Sequence, residues 1–464
     1  MRFKSVVRPR NGLLSLVLLP TLFMGGPGGA GAVSSAFSPE SQRHSRIAEG
    51  EEAALWIFLS AEGWEDPGTV EALEALGARV RVRSRYLRAV SVEGWGLEPR
   101  VLLDVPGVLG LRGVARLPVT APPFGRDGAS LLPLRSASHK AGVFSTPAHP
   151  QLLADSTYGE LGPILDILGI PTVHELGFSG IGVRVGILDG LFLENHGAFR
   201  SNRPVGVLDL VDGDGSVSPG AADDVADAAH GTGLWSLLTG NIPNTIRGGA
   251  PDAQVYLVRI REDGSLTHAD EDRWVAGLEW LETQGARIVL SGVSFRIFDD
   301  SFYAIGDLNG DITPATRAAD EAARRGVLVV APVGNDGPGI ESLEAPADGD
   351  SVMAVGAVDA EGVSASFSAR GPTGDGRTKP DLMAPGVDVP VAVPQSVDLS
   401  PASGTEFAGA LLASAAALFV EAYPERGAME VLVALREGAR RGGGPFAGVP
   451  EVASTILFPD GIVA

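Results

Sequence analysis

The sequence predicts an α/β protein built on a doubly wound parallel sheet, with a smaller α+β unit in front of it. From residue 158 onward, apolar runs typical of strands buried on both faces alternate with segments of helical periodicity. These runs are VRVGILD (183–189), QVYLVRI (254–260), RIVLSGV (287–293), VLVVAPV (327–333) and VMAVGAV (352–358). Residues 53–120 follow a different order, β-α-β-β-α-β, which is the ferredoxin-like split motif.

In the unit at 53–120, Asp66 and Pro67 stand where a helix is opened, because Asp caps free amides and Pro suits the first helical position. Alternation of apolar and polar residues predicts the strands. The predicted elements are a strand at 54–61, a helix at 66–78, two paired strands within 79–94, and a short helix followed by an edge strand within 99–119.

Helices of the larger unit are predicted by their apolar periodicity. They lie in HGTGLWSLLTG (230–240), DEDRWVAGLEWLETQG (270–285) and PATRAADEAARRG (314–326), and a further apolar helix lies in SGTEFAGALLASAAALF (403–419). The last is predicted to be a buried core helix. In doubly wound sheets, functional residues gather at the carboxyl ends of the strands.

Composition excludes several classes of function. The 464 residues suggest two or three units, and the 44% of apolar residues can form a sizeable core. A formal net charge of −21 argues against non-specific binding to nucleic acid or to an anionic membrane. The chain has no cysteine, which excludes disulfides, thiolate catalysis and cysteine zinc sites.

The N-terminus has the pattern of a secretory signal peptide over residues 1–32. Four basic residues precede the apolar run 12–26, and Ala30-Gly31-Ala32 supplies a small-residue cleavage site. An uncleaved membrane anchor is the alternative, but the run is short and contains Pro20. We therefore expect a secreted or periplasmic protein, with no membrane contact after cleavage. A flexible segment is expected at 33–52, and a Pro/Ser/Gly/Ala-rich linker at 121–157.

Three polar residues follow or flank the predicted strands. Asp189 ends the first strand, His230 opens a helix, and Asn335 lies in the turn after VLVVAPV. Taken singly, each has an ordinary structural interpretation as a turn, cap or surface residue. Together, the order Asp, His, Asn and then Ser-Gly-Thr before a helix matches the chain order of one type of serine peptidase.

Residues 158–464 resemble the subtilase (subtilisin-like, S8) family. The resemblance rests on several ordered motifs: ILDG, HGTGLWSLLTG, GGAPDAQVYLVRI (248–260), VLVVAPVGNDGP, SVMAVGAVDAEGVSASFSARGP (351–372), KPDLMAPG (379–386) and SGTEFAGALLASAAAL. It implies a subtilisin-like fold, in which Asp189 orients His230 as the base and Asn335 donates to an oxyanion. By their β-α-β-β-α-β pattern and their position in the chain, residues 53–120 resemble the inhibitory propeptides of the same family, and an unrelated small α+β domain is the alternative.

The departures from the family lie at the reacting centre. Glu406 stands where the family has its nucleophilic serine, and Ala410 replaces a proline. Ser403 and Ser414 are the neighbouring hydroxyls, and neither reaches the nucleophile position without a shift in helix register. With Asp189 and Glu406 flanking His230, we expect the His230 pKa to be raised above about 6.5.

Glu406 also has two other interpretations. Ser403-Gly-Thr-Glu406 fits a capping box, in which Glu at the third helical position accepts from the N-cap amide. The other interpretation makes Glu406 and Asp189 an acid–base dyad that activates water. The capping interpretation is compatible with loss of activity, whereas the dyad replaces the family mechanism.

Three functions remain open on sequence. The first is a catalytically impaired subtilase homologue that binds a peptide or protein segment in the substrate groove, together with its own propeptide-like domain. The second is an active serine-type endopeptidase that uses Asp189 and His230 with an unusual nucleophile, and the third is a rigid scaffold without an open groove. No cofactor is expected to be required. Structural Ca²⁺ is a minor alternative to solvated turns in the acidic loops 209–218 and 307–314.

Overall fold

The computed structural model describes residues 52–113, 157–439 and 448–459, apart from the single positions 222, 263, 300, 395, 397 and 458. The predicted signal peptide at 1–32 and almost all of the segments at 33–52 and 121–157 lie outside the described residues. Below, residues 52–113 are called the N-terminal domain, and residues 157–459 the main domain.

The N-terminal domain has the predicted β-α-β-β-α-β order, except that two consecutive helices follow the first strand where one was predicted. Its elements are β1 (Glu52–Leu59), α1 (Ala61–Glu65), α2 (Pro67–Ala75), β2 (Arg79–Ser84), β3 (Ala89–Trp95), α3 (Pro99–Leu103) and β4 (Val108–Gly113). The sheet order β2-β3-β1-β4 is antiparallel throughout, and this order is that of a split βαβ fold. Asp66 caps α2, where its side chain accepts from the Gly68 amide at 2.9 Å and Pro67 takes the first helical position, as predicted.

The main domain is organised around a seven-stranded parallel sheet in the order β13-β12-β11-β10-β5-β9-β6. Two short antiparallel hairpins, β7-β8 and β14-β15, accompany it. The strands are β5 (Arg184–Asp189), β6 (Gly206–Asp209), β7 (Asn241–Ile242), β8 (Ile246–Arg247), β9 (Gln254–Arg259), β10 (Ile288–Ser291), β11 (Leu328–Pro332), β12 (Met353–Val358), β13 (Leu382–Pro385), β14 (Val389–Ala392) and β15 (Leu399–Ala402).

Helices cover both faces of the large sheet. They are α4 (Gly162–Ile167), α5 (Ile170–Glu175), α6 (Ala229–Thr239), α7 (His268–Thr283), α8 (Pro314–Arg324), α9 (Thr405–Ala422), α10 (Ala428–Gly438) and α11 (Val452–Leu457). Residues of α6 and α9 share one hydrophobic cluster with one face of the sheet, and residues of α7 and α8 share another with the opposite face. The subtilisin-like doubly wound architecture predicted from the sequence is therefore confirmed.

The helix α9 is buried at the centre of the main domain. Its 18 residues have a mean hydropathy of 1.4, and in the described part of the chain it is the helix long and apolar enough to cross a membrane. Because 89% of it is buried inside the protein, it is a core helix, as the sequence predicted. Small residues, mostly alanines, let this helix pack closely against β10, β11 and β12.

The N-terminal domain packs on the outer side of α7 and α8. Phe58, Tyr86 and Leu87 join the hydrophobic cluster that includes Ala315 and Ala319 of α8. Guanidinium groups of α8 and of the residue that follows it also cover aromatic rings of the N-terminal domain, with Arg317 4.7 Å from the Phe58 ring centroid and Arg325 4.9 Å from that of Tyr86. The two domains therefore share a continuous core.

Candidate active site

The Asp189–His230 pair lies at the carboxyl edge of the sheet, where the strand rule predicts functional residues. Asp189 is the last residue of β5 and only 2% exposed, and His230 is the second residue of α6. The His230 Nδ1 and the Asp189 Oδ2 are 2.7 Å apart, and Asp189 Oδ1 accepts from the Gly190 amide at 2.7 Å. This carboxylate holds the imidazole in the orientation that a general base requires.

Two glycines make this close approach possible. A Cβ added at Gly292 would lie 2.7 Å from Asp189 Oδ2, and one at Gly231 would lie 2.6 Å from the Leu191 carbonyl oxygen. Any larger residue at either position would displace the loop that follows β5 or the carboxylate itself. The absence of a side chain at Gly231 and Gly292 therefore leaves room for the Asp189–His230 contact.

Asn335 and Glu406 form a second pair at the start of α9. Asn335 follows β11, and its Nδ2 donates to both carboxylate oxygens of Glu406, at 3.0 Å to Oε1 and 2.9 Å to Oε2. Its Oδ1 accepts from the Thr405 amide at 3.0 Å and from the Thr405 hydroxyl at 3.2 Å. Both ends of the Asn335 side chain are thus bonded to the first turn of α9.

The capping-box interpretation of Glu406 is wrong. The N-cap of α9 is Gly404, which has no side chain, so Glu406 is the second helical residue rather than the third. Ser403 lies outside the helix, where its hydroxyl accepts from the Asp388 amide at 2.9 Å. The tertiary contact with Asn335 replaces the local contact, and Glu406 keeps the favourable position of an anion in the first turn of a helix.

The remaining hydroxyls of this segment are engaged elsewhere. Ser414 is fully buried, and its Oγ donates to the Ala410 carbonyl at 3.1 Å and lies 3.4 Å from the Leu237 carbonyl. Ala410 is itself fully buried in the main core. The acid–base dyad finds no direct support, because Asp189 contacts His230 whereas Glu406 contacts Asn335.

The electrostatics of the site raise the pKa of His230 above its ordinary value. Burial alone lowers this pKa, but the Asp189 carboxylate and its hydrogen bond raise it, and the charge of Glu406 raises it further. Arg261 acts weakly in the other direction. The direction predicted from the sequence is therefore confirmed, and the imidazolium form is favoured relative to a free histidine.

Two acidic residues that sequence reasoning missed lie beside Asn335. Burial, then the charge of Asp336, raises the pKa of Glu344 to about 8, and Glu406 adds to the shift. Burial also raises the pKa of Asp336. The Glu344 carboxyl accepts from the Ser294 hydroxyl and lies against Gly334, where an added Cβ would be 2.4 Å from Glu344 Cδ. Burial and the neighbouring carboxylates thus favour the protonated form of Glu344.

In the acidic loops 209–218 and 307–314, where Ca²⁺ was the minor alternative, polar side chains accept hydrogen bonds from the loops' own backbone. Asp209 accepts from the amides of Val211 (3.0 Å) and Asp214 (3.2 Å), and Arg259 forms a 2.6 Å ion pair with Asp212. In the second loop, Asn309 accepts from the Asp311 amide at 3.1 Å. Across the residues described by the structure, no group of three or more His, Cys, Asp or Glu side chains is arranged to hold a metal ion.

An α/β fold with an Asp–His pair at the carboxyl edge of a parallel sheet, facing an Asn beside a buried helix N-terminus, defines a peptidase-type scaffold. The chain belongs to the subtilase family, Peptidase S8, which matches residues 180–442, more than half of its length. The chain is 30% identical over 279 residues to subtilisin DY of Bacillus licheniformis, covering 59% of this chain and 89% of that protein.

Subtilisin Savinase of Lederbergia lenta is 30% identical over 298 residues, covering 63% of this chain and 93% of that protein. Among solved structures, the prenylagaramide maturation protease PagA is similar with a TM-score of 0.49 and 24% identity, covering 62% of this chain and 97% of that one.

Proposed function

We propose that this subtilase homologue is catalytically impaired and acts by binding a peptide or a protein segment in the groove beside Asp189, His230 and Asn335. One observation carries the proposal. Glu406 occupies the start of α9 and accepts from the Asn335 amide through both of its oxygens. The group that would stabilise an oxyanion is therefore already bonded to an anion of the protein itself.

The chemistry of a carboxylate at this position does not allow the serine mechanism. A serine hydroxyl attacks because the histidine takes its proton, and a glutamate at neutral pH has no such proton to give. Attack by the carboxylate would have to form an anhydride and expel an amide nitrogen, which is a poor leaving group. The raised pKa of His230 adds to this, because an imidazolium is a poor general base.

A large loss of kcat is expected when glutamate takes the place of the nucleophilic serine. In subtilisin, removal of the nucleophilic serine lowers kcat by about 2 × 10⁶, and the rest of the site retains about 10³–10⁴ over water. Here Asn335 is also bonded to Glu406, so the oxyanion contribution to that residual rate is reduced. Hydrolysis by this protein should therefore fall at or below the residual level of a serine-free subtilase.

The alternative is an active serine-type endopeptidase with an unusual nucleophile. The preserved 2.7 Å contact between His230 and Asp189 favours it. Ser403 and Ser414 are its candidate nucleophiles, and their hydroxyls are bonded to the Asp388 amide and the Ala410 carbonyl. Neither contact involves His230, and Ser414 is fully buried. These contacts therefore favour the catalytically impaired homologue over the active endopeptidase.

A fluorophosphonate, which labels only an activated serine, separates the two functions. Mass spectrometry of the purified protein should show no label, with Glu406→Ser as the positive control on the same scaffold.

Peptide binding is measured separately, by shifts of the His230 ring NMR signals during titration with a library of extended peptides. Stoichiometric labelling of the unmodified protein would refute the proposal, as would a site that binds none of the peptides.

Export and processing extend the proposal. The N-terminal sequence indicates secretion or transfer to the periplasm, and the N-terminal domain has the order and position of a family propeptide. A protein without a competent serine is expected to leave residues 121–157 uncut by its own action. Mass measurement of the purified protein during incubation checks this expectation, because a new N-terminus generated in that segment by the pure protein contradicts it.

A further inference from the structure

The contact between the N-terminal domain and α7 contains buried carboxyl groups that the peptide site does not use. Asp272 and Glu279 are seven residues apart and therefore lie on the same face of the helix. Both face the N-terminal domain, and their exposed fractions are 1% and 8%. Their surroundings are supplied mainly by β1, β2, β3 and the turn between β2 and β3.

Asp272 is enclosed by groups from three strands of the N-terminal domain. Arg81 Nη2 of β2 is 2.5 Å from Asp272 Oδ2, and the Ser91 hydroxyl of β3 donates to the same oxygen, with the Trp56 indole of β1 nearby. On its own helix, the buried Glu271 adds a like charge. Asp272 Oδ2 is therefore shielded from water mainly by residues of the N-terminal domain.

Arg81 compensates Asp272 only in part, because its charge is shared. Its Nη1 is 3.6 Å from Glu93 Oε2, and its Nε and Nη2 donate to the Ser91 hydroxyl at 3.2 and 2.8 Å. One guanidinium thus faces the carboxyl groups of both Asp272 and Glu93. Arg79 pairs with the other oxygen of Glu93.

Glu279 is bonded to the turn that follows β2. It accepts from the Ser84 hydroxyl at 2.5 Å, from the Arg85 amide at 3.1 Å and from the Tyr86 amide at 3.3 Å. The Arg85 guanidinium lies 3.4 Å from the same carboxylate and is also paired with Glu282. The amide hydrogens of Arg85 and Tyr86 are therefore bonded across the interface.

Burial raises the pKa of Asp272 to about 7 and also raises the pKa of Glu279, while the facing arginines and hydroxyls lower both. When the domains separate, both carboxyl groups lie on the outer face of a surface helix and return toward ordinary values near 4. A group whose pKa is higher in the docked state binds more protons there. The gain in docking is therefore full below the ordinary pKa of about 4, and it is lost progressively as the pH rises to the docked pKa of Asp272, about 7.

We propose that docking of the N-terminal domain on α7 takes up protons, so that acid tightens the contact and alkali loosens it. The N-terminal domain contributes no histidine to the contact, and the two carboxyl groups lie on α7. The histidine of that helix, His268, pairs with Glu271 at 3.6 Å, within the main domain. The proposal concerns the domain contact and stands whether or not the peptide site hydrolyses its ligand.

The intact chain reports on docking directly. The Arg85 and Tyr86 amides are protected by Glu279 only while the domains are in contact, so their hydrogen exchange, corrected for intrinsic rates, measures opening. Between pH 5.5 and pH 8, their protection factor should fall by on the order of tenfold or more, as Asp272 loses its proton. Amides in the middle of α9 report global unfolding and should change less over the same range.

Three variants test the assignment. Asp272→Asn, which mimics the protonated acid, should flatten the pH response while retaining protection at pH 5.5. Arg81→Gln, which removes the compensating charge, should steepen it, whereas a merely structural role would weaken docking equally at both pH values. Asp270→Asn is the matched control on α7, because Asp270 bonds Thr267 and Arg273 within the main domain. A flat response in the unmodified chain, or an unchanged response in Asp272→Asn, overturns the proposal.

Discussion

The candidate active site has two halves that differ in what they retain. On one side, His230 and Asp189 keep the 2.7 Å contact that orients a catalytic base. On the other side, the Asn335 amide is bonded to Glu406 instead of facing an open position for an oxyanion. The difference teaches that one half of the site can keep the Asp–His geometry of its family while the first turn of α9 places a carboxylate on the Asn335 amide in the other half.

The two halves also interact. The charge of Glu406 contributes to the raised pKa of His230 and to that of Glu344. A change in the Asn335–Glu406 half therefore alters the protonation of the Asp189–His230 half. Variants in one half of the site therefore measure how far that half acts independently of the other.

The largest effect is expected at the base, in a background where chemistry has been restored. In Glu406→Ser, the further change His230→Ala should lower kcat/KM by at least about 10³, because the serine loses its proton acceptor. His174→Gln is the matched control, since His174 lies on α5 and bonds Tyr158 and the Gly249 carbonyl. Equal activity of the two double variants would show that the Asp189–His230 half is not a working base.

A somewhat smaller effect is expected at the oxyanion donor. In the same Glu406→Ser background, Asn335→Ala should lower kcat by about 10²–10³ through the loss of one donor. KM should change little, because the donor acts on the transition state. A change confined to KM would mean that Asn335 positions α9 through Thr405 and does not contact the reacting oxygen.

A moderate effect is expected on the titration of His230. Glu406→Gln removes a nearby negative charge, so the His230 pKa measured by NMR should fall, while Asp189 continues to raise it. The raised pKa stabilises the folded state below about pH 6.5, and this stability is lost as the pH rises through the folded-state pKa. In Glu406→Gln that loss should occur at lower pH, and an unshifted titration would show that the halves are independent.

The smallest effect is expected at Ser403. Because its hydroxyl does not cap α9, Ser403→Ala should lower the free energy of unfolding by only about 0.5 kcal/mol, the value of one exposed hydrogen bond. A true capping serine would cost about 1 kcal/mol or more. Urea denaturation of the variant, compared with Asp66→Ala at the genuine cap of α2, distinguishes the two outcomes.

Much of the fold followed from periodicity. The five buried runs became β5, β9, β10, β11 and β12, because strands covered on both faces need continuous apolar sequence. The outer strands β6 and β13 were not predicted. Each has only four residues, and a run that short carries little pattern.

The candidate site was predictable only in part. Asp189, His230 and Asn335 were placed correctly at strand and helix ends, since those positions follow from element boundaries. The contact that decides the site was not predictable, because Asn335 and Glu406 are 71 residues apart and their hydrogen bonds replaced the local capping box. The contact between Ser294 and Glu344 was missed for the same reason, because the two residues lie in loops that are 50 residues apart in the chain.

The central claim is that Glu406 silences an otherwise intact site. The most direct measurement is the hydrolysis of casein or of a generic peptide substrate by Glu406→Ser, compared with the unmodified protein and with Glu406→Ala. We expect the serine variant to exceed both by at least about 10³, since serine regains His230 as its base and frees the Asn335 amide. Equal, negligible activity in all three would contradict the claim and place the loss elsewhere in the site, and substantial hydrolysis by the unmodified protein would refute it outright.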